Sequence, residues 1–154
     1  MQHFIAEFKQ ALAPEFCQQI IDKFEADQRI HPGRTGGGVD PEKKNSLDLG
    51  ISKFDDWNEI TGQINNIIHR ALIQYARAYP HFLVGAVSTK MQDPTTKAIT
   101  ELNAGHIQQM PDAQLSAIIN RIYQPEPINL QKYPKKDGGY PYWHSEHFPH
   151  PTDQ

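Results

Sequence analysis

The segment 55–79 constrains this chain more than any other. Trp57, Ile60, Ile64, Ile67, Ile68, Ala71, Leu72 and Tyr75 recur at spacings of three and four residues, which lays a wide apolar stripe along one side of a helix. Asp55 and Asp56 stand at its N-terminal end, where the helix dipole favours negative charge, and Pro80 stops it. A helix of this length with so broad a stripe needs another layer to cover it, and a sheet later in the chain is the expected partner.

Around this helix the chain reads as α+β. A first helix is expected over 14–27, with Pro14 suited to the first helical position and Phe16, Ile20, Ile21 and Phe24 on one face. Turn signals crowd 31–45, where Pro32-Gly33, Gly36-Gly37-Gly38 and Asp40-Pro41 predict a surface loop. The Gly triplet lacks the Gly-Lys-Ser/Thr ending of a phosphate cradle and the spacing of a dinucleotide fingerprint. Residues 46–52 alternate, with Leu47, Leu49 and Ile51 on one side, and read as a strand. Two short helices are expected over 96–105 and 112–123, the second with Asp112 as N-cap. His69 reads as a partly exposed helix histidine and His106 as an exposed loop histidine. An alternating strand follows at 126–133, then a turn at 134–139, then a strand through Tyr140-Pro141-Tyr142-Trp143-His144-Ser145-Glu146. Helices early and strands late suggest one domain over 1–154, with a helical support region to about 124 and the sheet from about 125.

Composition narrows the function classes. With 15 basic and 18 acidic residues the net charge is −3, so no basic stripe points to nucleic acid or an anionic membrane. The apolar stretches are too short to span a bilayer, and residues 1–12 lack the pattern of a secretion signal. The single cysteine, Cys17, leaves no internal disulfide framework and falls in an apolar helical pattern, where a buried, inert thiol is expected. A cytoplasmic location follows as the default reading.

The chemistry concentrates near the end. His144 and Glu146 are two residues apart, so on a strand both would point to one face. An imidazole and a carboxylate side by side are two-thirds of a 2-His-1-carboxylate facial triad, the arrangement that suits Fe(II) with open coordination positions.

From Ile128 onward the sequence resembles the iron(II)- and 2-oxoglutarate-dependent oxygenases, in particular the prolyl-4-hydroxylase-like branch. The resemblance is carried by Asn129-Leu130-Gln131-Lys132-Tyr133, by Gly138-Gly139-Tyr140 and by His144-Ser145-Glu146. Upstream, Lys44-Asn45-Ser46-Leu47-Asp48-Leu49 looks like the basic-x-Ser strand that precedes the long helix in such proteins, and the Arg34-Thr35-Gly36-Gly37-Gly38 loop has the matching placement before it. The fold implied is a double-stranded β-helix, a jelly-roll or cupin-like barrel backed by helices and here only partly present. His144 and Glu146 would be iron ligands, Glu146 standing where most members carry Asp. Tyr133 would contact 2-oxoglutarate, with Gln131 on the same face. Fe(II) is the implied metal, 2-oxoglutarate the co-substrate and ascorbate an accessory. The implied reaction decarboxylates 2-oxoglutarate to succinate while hydroxylating a substrate, protein, peptide or small molecule, that the sequence does not identify; nor does it reveal an oligomeric state.

The family's second histidine and the basic partner of the distal 2-oxoglutarate carboxylate have no counterpart in the sequence; they come from later strands, on the order of 60 residues further on. The chain is therefore expected to be the N-terminal part of such an oxygenase, binding Fe(II) weakly and inactive alone. His147 and His150 are the local substitutes, and Pro149 and Pro151 flank the latter. Two other readings stand beside this one: a non-catalytic remnant that binds a partner through its helical face, and a small module in which His144, Glu146, His147 and His150 collect Zn(II).

Overall fold

In the computed structural model, which describes residues 3–85, 90–93 and 96–144, the chain divides into two compact units. One comprises Met1–Gln18 and Asp55–Glu126, the other Gln19–Phe54 and Pro127–Gln154. Helix and small antiparallel sheets are combined, as in an α+β protein. None of the helices among the described residues is long and apolar enough to cross a membrane.

The first unit is built on the amphipathic stripe. A single 3-10 turn, Asp55–Trp57, leads into α2, Asn58–Ala78; α1, Pro14–Ala26, precedes them and runs from this unit into the other. Trp57 and Ile60 are buried, while Ile64 and Ile67 are half-buried and Ile68 is exposed. The sheet expected to cover the stripe belongs to the other unit. Within its own unit α2 meets α3, Ala104–Gln109, and α4, Asp112–Ile122. Ala76, Ile107, Leu115 and Ile119 are fully buried there, with Leu72, Ile73 and Ile118 packed around them.

Arg77 ties these three helices together. Its guanidinium donates to the carbonyls of Ile107 (3.1 Å), Gln108 (2.9 Å) and Met110 (2.8 Å), and to the Asp112 carboxylate. Those carbonyls lie at the end of α3, where a helix leaves acceptors without intrahelical partners. At the other end of the chain, Tyr75 donates its hydroxyl to the Phe4 carbonyl (2.7 Å) and holds the N-terminal segment against α2.

Four expectations for this region change. The helix expected over 96–105 is instead a hairpin strand, β4 (Ile99–Glu101), paired with β3 (Lys90–Gln92), and α3 begins only after it. Ile99 and Thr100 are β-branched and suit a strand, whereas Asn103 is a helix start. Asn103 accepts a hydrogen bond from the His106 amide (3.0 Å), and His106 Nδ1 accepts one from the Asn103 amide (3.3 Å), a reciprocal cap with histidine in the usual Glu/Gln place. His106 is thus a half-buried helix residue and not an exposed loop histidine. Asp112 is the first residue of α4 and its side chain makes no cap. His69 is half-buried, as a helix-edge residue should be, and bonds Ser116 at 2.7 Å. Cys17, expected to be buried, is only half-buried.

The second unit holds a three-stranded antiparallel sheet in the order β1 (His31–Pro32), β2 (Leu47–Gly50), β5 (Asn129–Lys132). β2 and β5 pair Leu47 with Lys132, Asp48 with Gln131, Leu49 with Leu130 and Gly50 with Asn129. Because side chains alternate along a strand, Leu49 and Leu130 share one face and Asp48 and Gln131 the other. The first face adjoins the C-terminal half of α1, where Leu130 shares a groove with Ile20, Ile21 and Phe24, and Lys132 pairs with Glu25 at 2.5 Å. β2 is shorter than the alternation over 46–52 suggests: Leu47 is exposed, and Ile51 is buried in a 3-10 turn, Ile51–Lys53.

Candidate functional site

The face opposite Leu49 carries the polar chemistry of this unit. Asp48 is buried on it, with two partners close in sequence: Ser46 Oγ donates to Oδ1 (2.7 Å) and Lys44 Nζ to Oδ2 (3.0 Å). Across the pairing, Gln131 Nε2 (3.3 Å) and Asn129 Nδ2 (3.5 Å) also donate to Oδ2. Burial opposes ionisation of Asp48, but the hydrogen bonds from Ser46 and Lys44, the Lys44 charge and the Asn129 amide outweigh it and hold the carboxyl below the ordinary aspartate range. Gly33 seals this cluster from the loop side. A Cβ there would stand 2.1 Å from Ser46 Oγ and 3.1 Å from Lys44 Cε, so only glycine lets the backbone approach.

From the buried carboxylate the network runs outward. Tyr133 donates its hydroxyl to Gln131 Oε1 at 3.1 Å, so the two residues share a face, as their spacing requires. The turn after β5 then carries the chain back beside Lys44. Gly138 N bonds Pro134 O (2.8 Å), Asn45 and Gly139 exchange backbone hydrogen bonds (2.9 and 3.2 Å), and Asn45 Nδ2 donates to Asp137 O (2.8 Å). Anchored in this way, Tyr140 has its ring 5.6 Å from the Lys44 ammonium and stacks on the His144 imidazole at 4.1 Å.

Gln131, Tyr133, Tyr140 and His144 all line one open cleft of about 970 Å³, together with Lys44 and Asp48. His144 is exposed and is in no strand; a bend at Tyr142 interrupts the extended run expected through 140–146. Its Nδ1 lies 2.7 Å from the Tyr142 carbonyl. A carbonyl can only accept, so Nδ1 carries the proton, and in the neutral ring Nε2 is the basic nitrogen. Glu146, His147 and His150 lie outside the described residues. Among the described residues no three histidine, cysteine, aspartate or glutamate side chains come together. The tautomer of His144 fits a metal ligand held in place by a backbone carbonyl, and His144 is the one expected ligand that is described.

The Asp48 cluster went unforeseen. The alternation of Leu47, Leu49 and Ile51 assigns Asp48 to the solvent side, and the available signal was the run Lys44-x-Ser46-x-Asp48, which places a cation and a hydroxyl within reach of a carboxylate. Comparison with family models, with curated proteins and with solved structures finds no match for this chain.

Proposed function

We propose that this cleft belongs to an Fe(II)- and 2-oxoglutarate-dependent dioxygenase of the hydroxylase type, with the β1–β2–β5 sheet as the first part of its double-stranded β-helix. One observation carries the reading: Gln131, Tyr133 and His144, singled out by resemblance from separate stretches of sequence, line a single cleft. His144, through Nε2, and Glu146 are the proposed iron ligands; Tyr133 and Gln131 are the proposed neighbours of 2-oxoglutarate. When bound, iron would supply the activation of O2 and the decarboxylation of 2-oxoglutarate to succinate.

The chain's own residues would do the positioning. The Tyr142 carbonyl sets the tautomer and orientation of His144, and Tyr140 braces its ring face. Gln131, tethered to Asp48, holds the Tyr133 hydroxyl at the cleft wall. The test is succinate formation from 2-oxoglutarate by the full-length protein carrying this sequence, supplied with Fe(II) under air. Turnover that disappears in His144→Ala and in Glu146→Ala is expected. Turnover unaffected by either substitution, or a protein that neither binds Fe(II) nor consumes 2-oxoglutarate, overturns the proposal.

A further inference from the structure

Both ring nitrogens of His106 are engaged, and they face different elements of the helical unit. Nδ1 accepts the backbone N–H of Asn103 at 3.3 Å, and a ring nitrogen that accepts carries no proton. In the neutral ring the proton therefore sits on Nε2, which lies 3.7 Å from Asp93 Oδ2. The two side chains are only 19% and 22% exposed. One imidazole thus reaches both the start of α3 and the hairpin that precedes it.

Asp93 is itself built into that hairpin. It follows β3, its amide donates to the Ala98 carbonyl (2.9 Å), its carbonyl accepts from the Lys97 amide (2.9 Å), and Oδ1 accepts from the Thr96 amide (2.7 Å). On the helix side, Asn103 Oδ1 accepts from the His106 amide (3.0 Å) and the Asn103 carbonyl from the Ile107 amide (3.1 Å). The Asn103 N–H is the part of this cap that depends on the imidazole. Ile107, within one turn of it, is fully buried, and Arg77 holds its carbonyl at 3.1 Å.

The two contacts respond oppositely to a proton. A protonated ring has a hydrogen on both nitrogens, so Nδ1 would meet the Asn103 N–H donor to donor. The positive end of a helix dipole also opposes a cation there. The Asp93 side does the reverse, because an imidazolium facing a carboxylate is an ion pair. Asp93 is the one carboxylate among the described residues within 4 Å of the ring. The other charged or titratable groups on the surrounding elements are Lys90, Lys97 and Glu101 of the hairpin and His81 of the 3-10 turn Pro80–Phe82, all exposed. From α2 comes Arg77, whose guanidinium is occupied by the carbonyls of Ile107, Gln108 and Met110 and by Asp112.

We infer that His106 is a proton-operated switch. Neutral, it caps α3; protonated, it releases the Asn103 amide and clamps the Asp93 end of the hairpin. The first turn of α3 loosens in acid while the hairpin tightens. The switch lies wholly in the helical unit and does not depend on the chemistry proposed for the cleft.

An NMR titration of the full chain from about pH 8 to 5, the window in which histidine ordinarily gains its proton, tests this. The His106 ring nitrogens and the Asn103 amide should titrate with one midpoint. Protection of that amide, corrected for the pH dependence of intrinsic exchange, should fall about fivefold, the scale of one neutral hydrogen bond. In His106→Gln the side chain keeps a cap acceptor but takes up no proton, so the Asn103 amide should stay protected throughout. Asp93→Asn removes the charge that favours the imidazolium and should move the midpoint to lower pH. An Asn103 amide that ignores the titration of His106, or that responds equally in His106→Gln, overturns the inference. So does an unmoved midpoint in Asp93→Asn, which would leave the protonated ring nothing to clamp.

Discussion

Lys44 and Asp48 form an ion pair at 3.0 Å with side chains only 6% and 5% exposed. Removing one member of such a pair strands the other charge away from water. Lys44→Met and Asp48→Ala are therefore each expected to destabilise the protein by ~3–5 kcal/mol, and the double variant by less than the sum. Urea unfolding of the three variants checks this; a fully additive double variant would show that the two side chains do not act as a pair.

The same carboxylate gives a pH dependence with a definite sign. The Asp48 carboxyl is depressed in the folded state, so the folded protein binds fewer protons than the unfolded chain. Its contribution is complete above the unfolded aspartate value, ~3.9, and is lost as the pH falls through the lower folded value. Unfolding free energy measured from pH 6 downward should fall below about pH 4. Asp48→Asn should flatten that part of the curve; an identical acid limb in the variant would mean that other carboxylates carry it.

Gly138 is expected to tolerate no side chain. A Cβ there would stand 2.4 Å from both the nitrogen and the oxygen of Pro134, which are backbone atoms that cannot swing aside. Gly138→Ala should open the turn that brings Tyr140 and His144 beside Lys44, at ~1–3 kcal/mol, and broaden the His144 imidazole signals in an NMR spectrum. An unchanged His144 spectrum would detach that turn from the placement of the imidazole.

In the helical unit, Arg77→Lys should fail almost as badly as Arg77→Ala. A lysine cannot span three carbonyls and the Asp112 carboxylate with one ammonium. We expect ~1.5–3 kcal/mol for either change, against ~2–5 kcal/mol for Leu115→Ala in the fully buried core. Thermal melts that leave Arg77→Lys at the parent value would remove Arg77 from that role.

The legible parts of the fold were those whose signal is local and periodic. The apolar stripe predicts α2 over 55–79, and the helix spans Asn58–Ala78 behind a 3-10 turn. The Pro14 start and the Leu115, Ile118, Ile119, Ile122 pattern locate α1 and α4 equally well. Illegible were residues whose role depends on a distant partner. Asp48 reads as a solvent residue until Asn129 and Gln131, far along the chain, are brought across from it. His106 reads as a loop histidine because the capping pattern is defined by Glu and Gln, and an imidazole filling that place carries no usual signal. In the cleft, spacing predicts that Gln131 and Tyr133 share a face, but nothing in it reveals that Arg34 and Lys53 line the same walls.

The pairing of Gly50 with Asn129 has a consequence for how the protein comes to exist. The two strands that frame the cleft are joined through the whole of 51–128, so their ladder closes a long loop before it gains a hydrogen bond. Loop entropy makes such pairings slow, whereas the contacts that join α2 to α3 and α4 close shorter loops, 30 residues from Arg77 to Ile107 and 47 from His69 to Ser116. The helices should then gain protection from hydrogen exchange ahead of β2 and β5. During synthesis the first half of the cleft, with Lys44 and Asp48 still apart from Asn129 and Gln131, must wait until β5 has left the ribosome.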